Sequence, residues 1–171
     1  MKILPNIEIV DLALYFNSTL IIADVHMGYE EALNKQGFLV PRVQFEDMVK
    51  RMERIFDKVP KDKRLDRVIV NGDLKHEFGT ISEQEWRNTL KFLDLLAKHC
   101  NEIMLVKGNH DTILGPIAKK RNVRIVDSIG IGKVRIVHGD KVPSDIRKYN
   151  TIIIGHEHPA VSLKEGPRIE Q

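Results

Sequence analysis

Cysteine is nearly absent. Cys100 stands alone among 171 residues, which rules out an internal disulfide and makes a reducing, cytoplasmic setting the expectation. Long apolar runs are missing as well. The best of them, at 20–23 and 151–154, fall far short of the ~20 residues needed to span a bilayer, so no membrane association is expected. Asn6, Glu8 and Asp11 break up the apolar residues near the start, and no signal peptide is expected there. Neither sign of charge dominates. The 27 Lys and Arg residues against 24 Asp and Glu leave a net +3, too mild to argue for nucleic acid on charge alone. The basic clusters at 58–67 and 119–124 read as solvated faces. What is present is the composition of one globular domain, 42% hydrophobic and 30% charged, expected to cover residues 1–171 and to bury a sizeable core.

Hydrophobic periodicity divides this domain into alternating strands and helices. Residues 7–16 and 20–25, with Asn17-Ser18-Thr19 between them, read as a hairpin. Phe45, Met48, Val49, Met52, Ile55 and Phe56 share one face of a helix that ends before Pro60. Residues 67–71 read as a buried strand. Ser82 followed by Glu85 is a capping box. It opens a helix whose apolar stripe is Trp86, Leu90, Leu93, Ala97 and Cys100. His99, near the end of that helix, is expected to place a favourable charge at the negative end of the dipole. Further strands are expected at 102–106, 123–126, 133–137 and 151–154, with a turn at Gly130 and Gly132. The alternation predicts a layered α/β fold, and the β-rich stretch after residue 120 predicts a second or mixed sheet.

Histidine and its neighbours carry the chemistry. Polar blocks close five predicted strands: Asp24-Val25-His26, Gly72-Asp73, Gly108-Asn109-His110-Asp111, His138-Gly139-Asp140 and Gly155-His156-Glu157-His158. In open α/β sheets the carboxyl ends of the strands converge on the edge where ligands bind. On an extended chain Asp24 and His26 share a face, as do His156 and His158. Asp73 has two oxygens with which to bridge a pair of ions, and Asn109 adds a neutral oxygen. Mixed nitrogen and oxygen donors suit Mn, Fe or Zn better than Ca. Two such ions about 3.5–4 Å apart clamp the oxygens of an in-line displacement at phosphorus. Other hydrolase patterns fit poorly. The His-x-His at 156–158 runs into Pro159 rather than a metallo-β-lactamase block, and Gly130-x-Gly132-Lys133 lacks the Ser or Thr of a P-loop.

In order and type, these five blocks resemble the calcineurin-like metallophosphoesterases. The flanking text ADVHMGYEEAL, NGDLKHEFG and GHEHPAV is similar to the archaeal branch related to the SbcD nucleases. The resemblance implies a layered α-β-β-α sandwich and a dinuclear-metal-dependent phosphoesterase, with Mn²⁺ the first choice of ion and Fe, Zn or Ni as alternatives. Asp24, His26 and His158 would hold one ion, Asn109, His138 and His156 the other, and Asp73 would bridge them. A metal-bridging hydroxide would attack the phosphorus in line. His110 would face the phosphate and stabilise developing charge or protonate the leaving oxygen, with Asp111 orienting it. His76, Lys75, Tyr29 and Glu30 are candidates for substrate contact. Phosphodiesters, nucleic acid among them, are the favoured substrates. The alternatives are a phosphomonoesterase and a metal-containing nucleic-acid-binding module without catalysis. Only thirteen residues follow His158, so the expectation is a compact member with an incomplete second sheet, a sheet completed by a partner subunit as in a homodimer, or a fragment of a longer chain.

Overall fold

The computed structural model describes residues 1–60, 64–77, 81–165 and 168–170. The chain opens with four short antiparallel strands, β1 (Lys2–Leu4), β2 (Ile7–Val10), β3 (Ala13–Phe16) and β4 (Thr19–Ala23). Residues 7–16, expected as one strand, are split by Asp11. Its left-handed φ of 57° turns the chain into a tight hairpin and leaves Leu12 exposed. Two helices follow, α1 (Tyr29–Lys35) and α2 (Gln44–Lys58), then β5 (Leu65–Asn71), α3 (Glu83–His99), β6 (Cys100–Val106), α4 (Gly115–Arg121) and β7 (Arg124–Val126). The sheet order is β1 to β7 in sequence, with β4 to β7 parallel.

A second sheet has the order β10-β9-β8, from β8 (Ser128–Ile131), β9 (Val134–Val137) and β10 (Thr151–Ile153). β9 and β10 run parallel. A separate hairpin joins β11 (Leu163–Glu165) to β12 (Arg168–Glu170), just where the sequence offers little basis for a strand.

Alternation along the central strands builds the layers. Val68 and Val70 of β5 point to the helices, packing in one core with Met52, Ile55, Leu90, Leu93, Leu96 and Ile117. Ile69, between them, points to the second sheet, in a core with Met104, Val106, Ile129, Ile136 and Ile153. Side chains of this size contribute about 1.5–3 kcal/mol each when fully buried. Both faces of β5 and β6 are therefore apolar, as a covered parallel sheet requires.

The Ser82 capping box forms as expected, with Ser82 Oγ accepting from Glu85 N at 3.1 Å and Glu85 Oε2 accepting from Ser82 N at 3.3 Å. Cys100 belongs to the start of β6 rather than to the helix stripe. Helices α1 and α4 have no counterpart in the sequence reading. Each has seven residues and no side-chain cap, too little for a periodic signal. The strand β8 was expected only as a turn, because Gly130 marks it. A Cβ there would crowd the Tyr149 hydroxyl, which crosses the strand. No described helix is long and apolar enough to cross a membrane.

Candidate metal centre

Strands β4, β5, β6, β9 and β10 all end beside one basin, and each polar block lies just past its strand. The first two blocks are zipped together by main chain. Asp24 N donates to Gly72 O at 3.3 Å, His26 N to Asp73 O at 2.8 Å, Met27 N to Leu74 O at 2.9 Å, and His76 N to Met27 O at 3.0 Å. The β4–β5 ladder thus continues into the loops, although the chain is no longer extended there. Asp24 (φ 50°), His26 (48°), Asp73 (42°) and His156 (65°) all adopt left-handed backbone. The expectation that Asp24 and His26 converge by strand alternation is corrected here: left-handed turns aim them. Such conformations cost of order 1–3 kcal/mol per residue and persist only where the surroundings enforce them.

The two sheets are stitched across the basin. Asn71, fully buried, donates from Nδ2 to Val137 O at 3.0 Å. The Asp24 carboxylate accepts from His156 N at 3.2 and 3.0 Å. Sequence reasoning passed over Asn71; the signal was an amide inside the apolar run RVIVN. Close packing also explains two glycines. A Cβ at Gly72 would overlap the His138 ring, and one at Gly108 would overlap the Asp73 carboxylate.

The donor atoms form two groups. Asp24, His26 and His158 bring one ligand atom each within 4.8 Å of one another, and Asp73, His138 and His156 do the same. Asp73 stands between the groups, with Oδ2 at 3.8 Å from His26 Nε2 and 3.4 Å from His138 Nε2. Asn109 Oδ1 lies 2.9 Å from His138 Nε2 and 3.1 Å from His156 Nδ1, and those two nitrogens are 3.2 Å apart. Edges near 3 Å are what an octahedral ion with bonds of ~2.1 Å would span, so these side chains fit a metal ion. Burial lowers the His26 pKa below its ordinary value. The Asp73 charge opposes that shift, while His110 and His76 add to it. A neutral imidazole is the form that ligates.

A third group gathers beside the first: His26, His76 and His110 also bring ligand atoms within 4.8 Å. The His110 main-chain N donates to Asp73 Oδ1 at 2.9 Å, and its ring Nδ1 meets the His76 carbonyl. That carbonyl orients the ring. Asp111 is buried and its carboxylate is taken by main chain, accepting from Leu74 N at 3.1 Å, Lys75 N at 3.4 Å and Gly108 N at 3.1 Å. Burial raises its pKa, against those same hydrogen bonds. Asp111 therefore folds the His110 loop onto the Asp73 loop.

The expected substrate contacts divide. His76 is half-buried, its ring edge-on to Tyr29 at a centroid distance of 4.9 Å, and Tyr29 is exposed. Lys75 does not reach the basin. It is fully buried, and its ammonium donates to the Glu77 carbonyl. Glu30 is occupied too, accepting from Val43 N at 3.2 Å and Gln44 N at 2.9 Å at the start of α2. His99, far from the basin, lies flat on Phe56 at 3.9 Å. Burial lowers its pKa, with Lys98 and Arg64 adding to the effect. It serves as a stacking ring, and burial works against the dipole charge expected of it.

The decisive comparison concerns the span that holds these blocks. The family model described as calcineurin-like phosphoesterase matches residues 18–158, from β4 through the last histidine. This chain belongs to that family. Among solved structures, the calcineurin-like fold here is similar to a Pseudomonas putida nuclease MPE, with a TM-score of 0.63 and 18% identity over 86% of this chain and 66% of that one. The chain thus spans just under two thirds of the nuclease's length. A protein of unknown function from Aquifex aeolicus matches with a TM-score of 0.48 and 20% identity over 83% of this chain and 80% of that one. No curated protein matches. The family match gives an α/β metallophosphoesterase-type sandwich of a metal-dependent hydrolase family, and the donor groups described above are its potential metal-binding clusters. They do not single out the archaeal branch.

Proposed function

We propose that this protein is a dinuclear-metal-dependent phosphoesterase that cleaves phosphodiesters. The observation that carries the reading is the pair of donor groups with Asp73 Oδ2 between them, 3.8 Å from His26 Nε2 in one and 3.4 Å from His138 Nε2 in the other. In this reading Asp24, His26 and His158 would hold one divalent ion and Asn109, His138 and His156 the other, with Asp73 shared between the two sites. When bound, such a pair supplies positive charge for the phosphoryl oxygens and acidifies water. Mn²⁺ suits this mixed donor set, as do Fe, Zn or Ni.

The chain's own residues supply the rest. His110 Nδ1–H donates a hydrogen bond to the His76 carbonyl, which leaves Nε2 as the nitrogen that takes up and gives a proton. In the protonated form Nε2–H stabilises charge on the phosphoryl group and transfers its proton to the departing alcohol oxygen. Water adds to phosphorus, the ester P–O bond breaks, and a monoester and an alcohol result. His76 and Tyr29 border the basin where the substrate's ester group enters.

Two features favour diesters. A cleft of about 670 Å³ runs from Asn109 past Lys107, Thr112 and Lys141, with Asp127 and Asp140 also on its walls, and has room for a leaving group larger than one phosphate. The structurally similar Pseudomonas protein is named a nuclease, which makes a nucleic acid strand a reasonable occupant.

The test is hydrolysis of bis-p-nitrophenyl phosphate and p-nitrophenyl phosphate by metal-stripped protein titrated with Mn²⁺. Diester turnover that rises with metal is the expected result. Turnover of the monoester alone would make the protein a phosphomonoesterase. No turnover of either by folded, metal-loaded protein would overturn the reading.

A further inference from the structure

Glu85 is an acid almost without access to water, 1% exposed, on the first turn of α3. A capping-box glutamate needs one oxygen, for the N–H of the cap residue. Here Oε2 does that, accepting from Ser82 N at 3.3 Å. The other oxygen faces the opposite way. Oε1 accepts from His76 N at 3.1 Å and from Glu77 N at 3.4 Å, the two residues after Lys75. The same side chain lies against Gly28, the turn that follows His26 and Met27. A Cβ there would sit 3.1 Å from Glu85 Cγ, Cδ and Oε1, and Gly28 has φ +94°. Burial raises the Glu85 pKa, and the main-chain hydrogen bonds from His76, Glu77 and Ser82 oppose that. One carboxylate thus touches three segments: the turn after His26, the loop carrying His76, and the helix.

The loop it grips is joined to the basin at two atoms. The His76 carbonyl meets His110 Nδ1, and His76 Nδ1 lies 3.4 Å from His26 Nδ1. A shift of the His76 main chain therefore moves the groups that set both rings.

We propose that Glu85 is a positioning residue of this centre: its Oε1 holds the His76–Glu77 main chain so that the His76 carbonyl fixes the His110 ring and the His76 ring backs His26. The proposal rests on the phosphoesterase reading for its effect on turnover, but not for its effect on the rings. Helix capping and loop positioning reside on different oxygens, so they separate. Glu85→Gln keeps one acceptor oxygen and turns the other into a donor, and glutamine is itself accepted in a capping box. Ser82→Ala removes the cap hydroxyl and leaves both Glu85 oxygens in place.

Two readouts decide. The first is the histidine ring ¹⁵N–¹H spectrum of metal-free protein, which needs no turnover. Glu85→Gln is expected to shift the His76 and His110 signals, and Ser82→Ala to leave them. The second is Mn²⁺-dependent diester hydrolysis, where Glu85→Gln is expected to lower kcat about tenfold with little change in KM, and Ser82→Ala to leave both. Unchanged ring signals in a folded Glu85→Gln protein would overturn the proposal. So would equal loss of kcat in both variants in step with their lost stability, which would make Glu85 a helix cap only. A wild-type protein with no turnover would defeat the phosphoesterase reading instead, while the ring spectra still decide on Glu85.

Discussion

The two ends of the stacked sheets both carry histidine, and use it in opposite ways. At the carboxyl ends of the strands, His138 and His156 turn nitrogen atoms toward each other at 3.2 Å, and His156 adopts left-handed backbone to do so. At the other end, His99 closes a regular capped helix and presents its flat face to Phe56, 6° from parallel. One end arranges donor atoms at the expense of backbone comfort. The other uses the same side chain as an aromatic plate. The difference teaches that residue type alone does not mark a site: what marks it is convergence of donor atoms held by an otherwise unfavourable main chain.

The contrast can be broken most severely at Asp73. Asp73→Ala removes the oxygen between the two donor groups and the acceptor of the His110 N–H. Turnover of the diester is expected to fall by at least about 10²–10³-fold, with bound metal reduced by elemental analysis of the dialysed protein. His110→Gln is the next largest. Its ring belongs neither to the Asp24–His26–His158 group nor to the Asp73–His138–His156 group, so metal content is expected to stay while kcat falls roughly 10²-fold or more.

The opposite end should respond in stability alone. Ser82→Ala is expected to lower the unfolding free energy by about 1 kcal/mol in urea titrations, with kcat unchanged. His99 gives the smallest effect, and one that depends on pH. Burial holds its folded pKa below the ordinary value of 6.5, so the native protein resists a proton that the unfolded chain accepts. The stability it contributes is complete above the unfolded value and is lost as pH falls through that value toward the folded one. His99→Phe keeps the stacking plate and removes the titration. Between pH about 7.5 and about 5.5, the wild type is expected to lose more stability than the variant.

Much of this was legible in the sequence. Strand-end blocks reveal themselves because apolar β-branched runs stop abruptly at Asp24, Asp73, Asn109, His138 and His156, and the Ser82 capping box shows in two letters. What stayed hidden was decided by tertiary geometry. Left-handed backbone at Asp24 and His26 is imposed by the main-chain zipper to the next loop, and no local residue pattern encodes it. Asp111 follows His110 directly, which suggested a partner for that ring, yet its carboxylate binds main chain across from another strand. Lys75 beside His76 suggested a substrate cation. The bridge between Met27 and Lys75 sets the chain's direction there, and the lysine is buried.

The central claim is that two ions share Asp73 at the carboxyl edge of the sheets. Anomalous diffraction from a crystal soaked with Mn²⁺ tests it most directly. The account predicts two peaks about 3.5–4 Å apart, one beside Asp24, His26 and His158 and one beside Asn109, His138 and His156, with the Asp73 carboxylate between them. A single peak, or manganese bound away from Asp73, would contradict it.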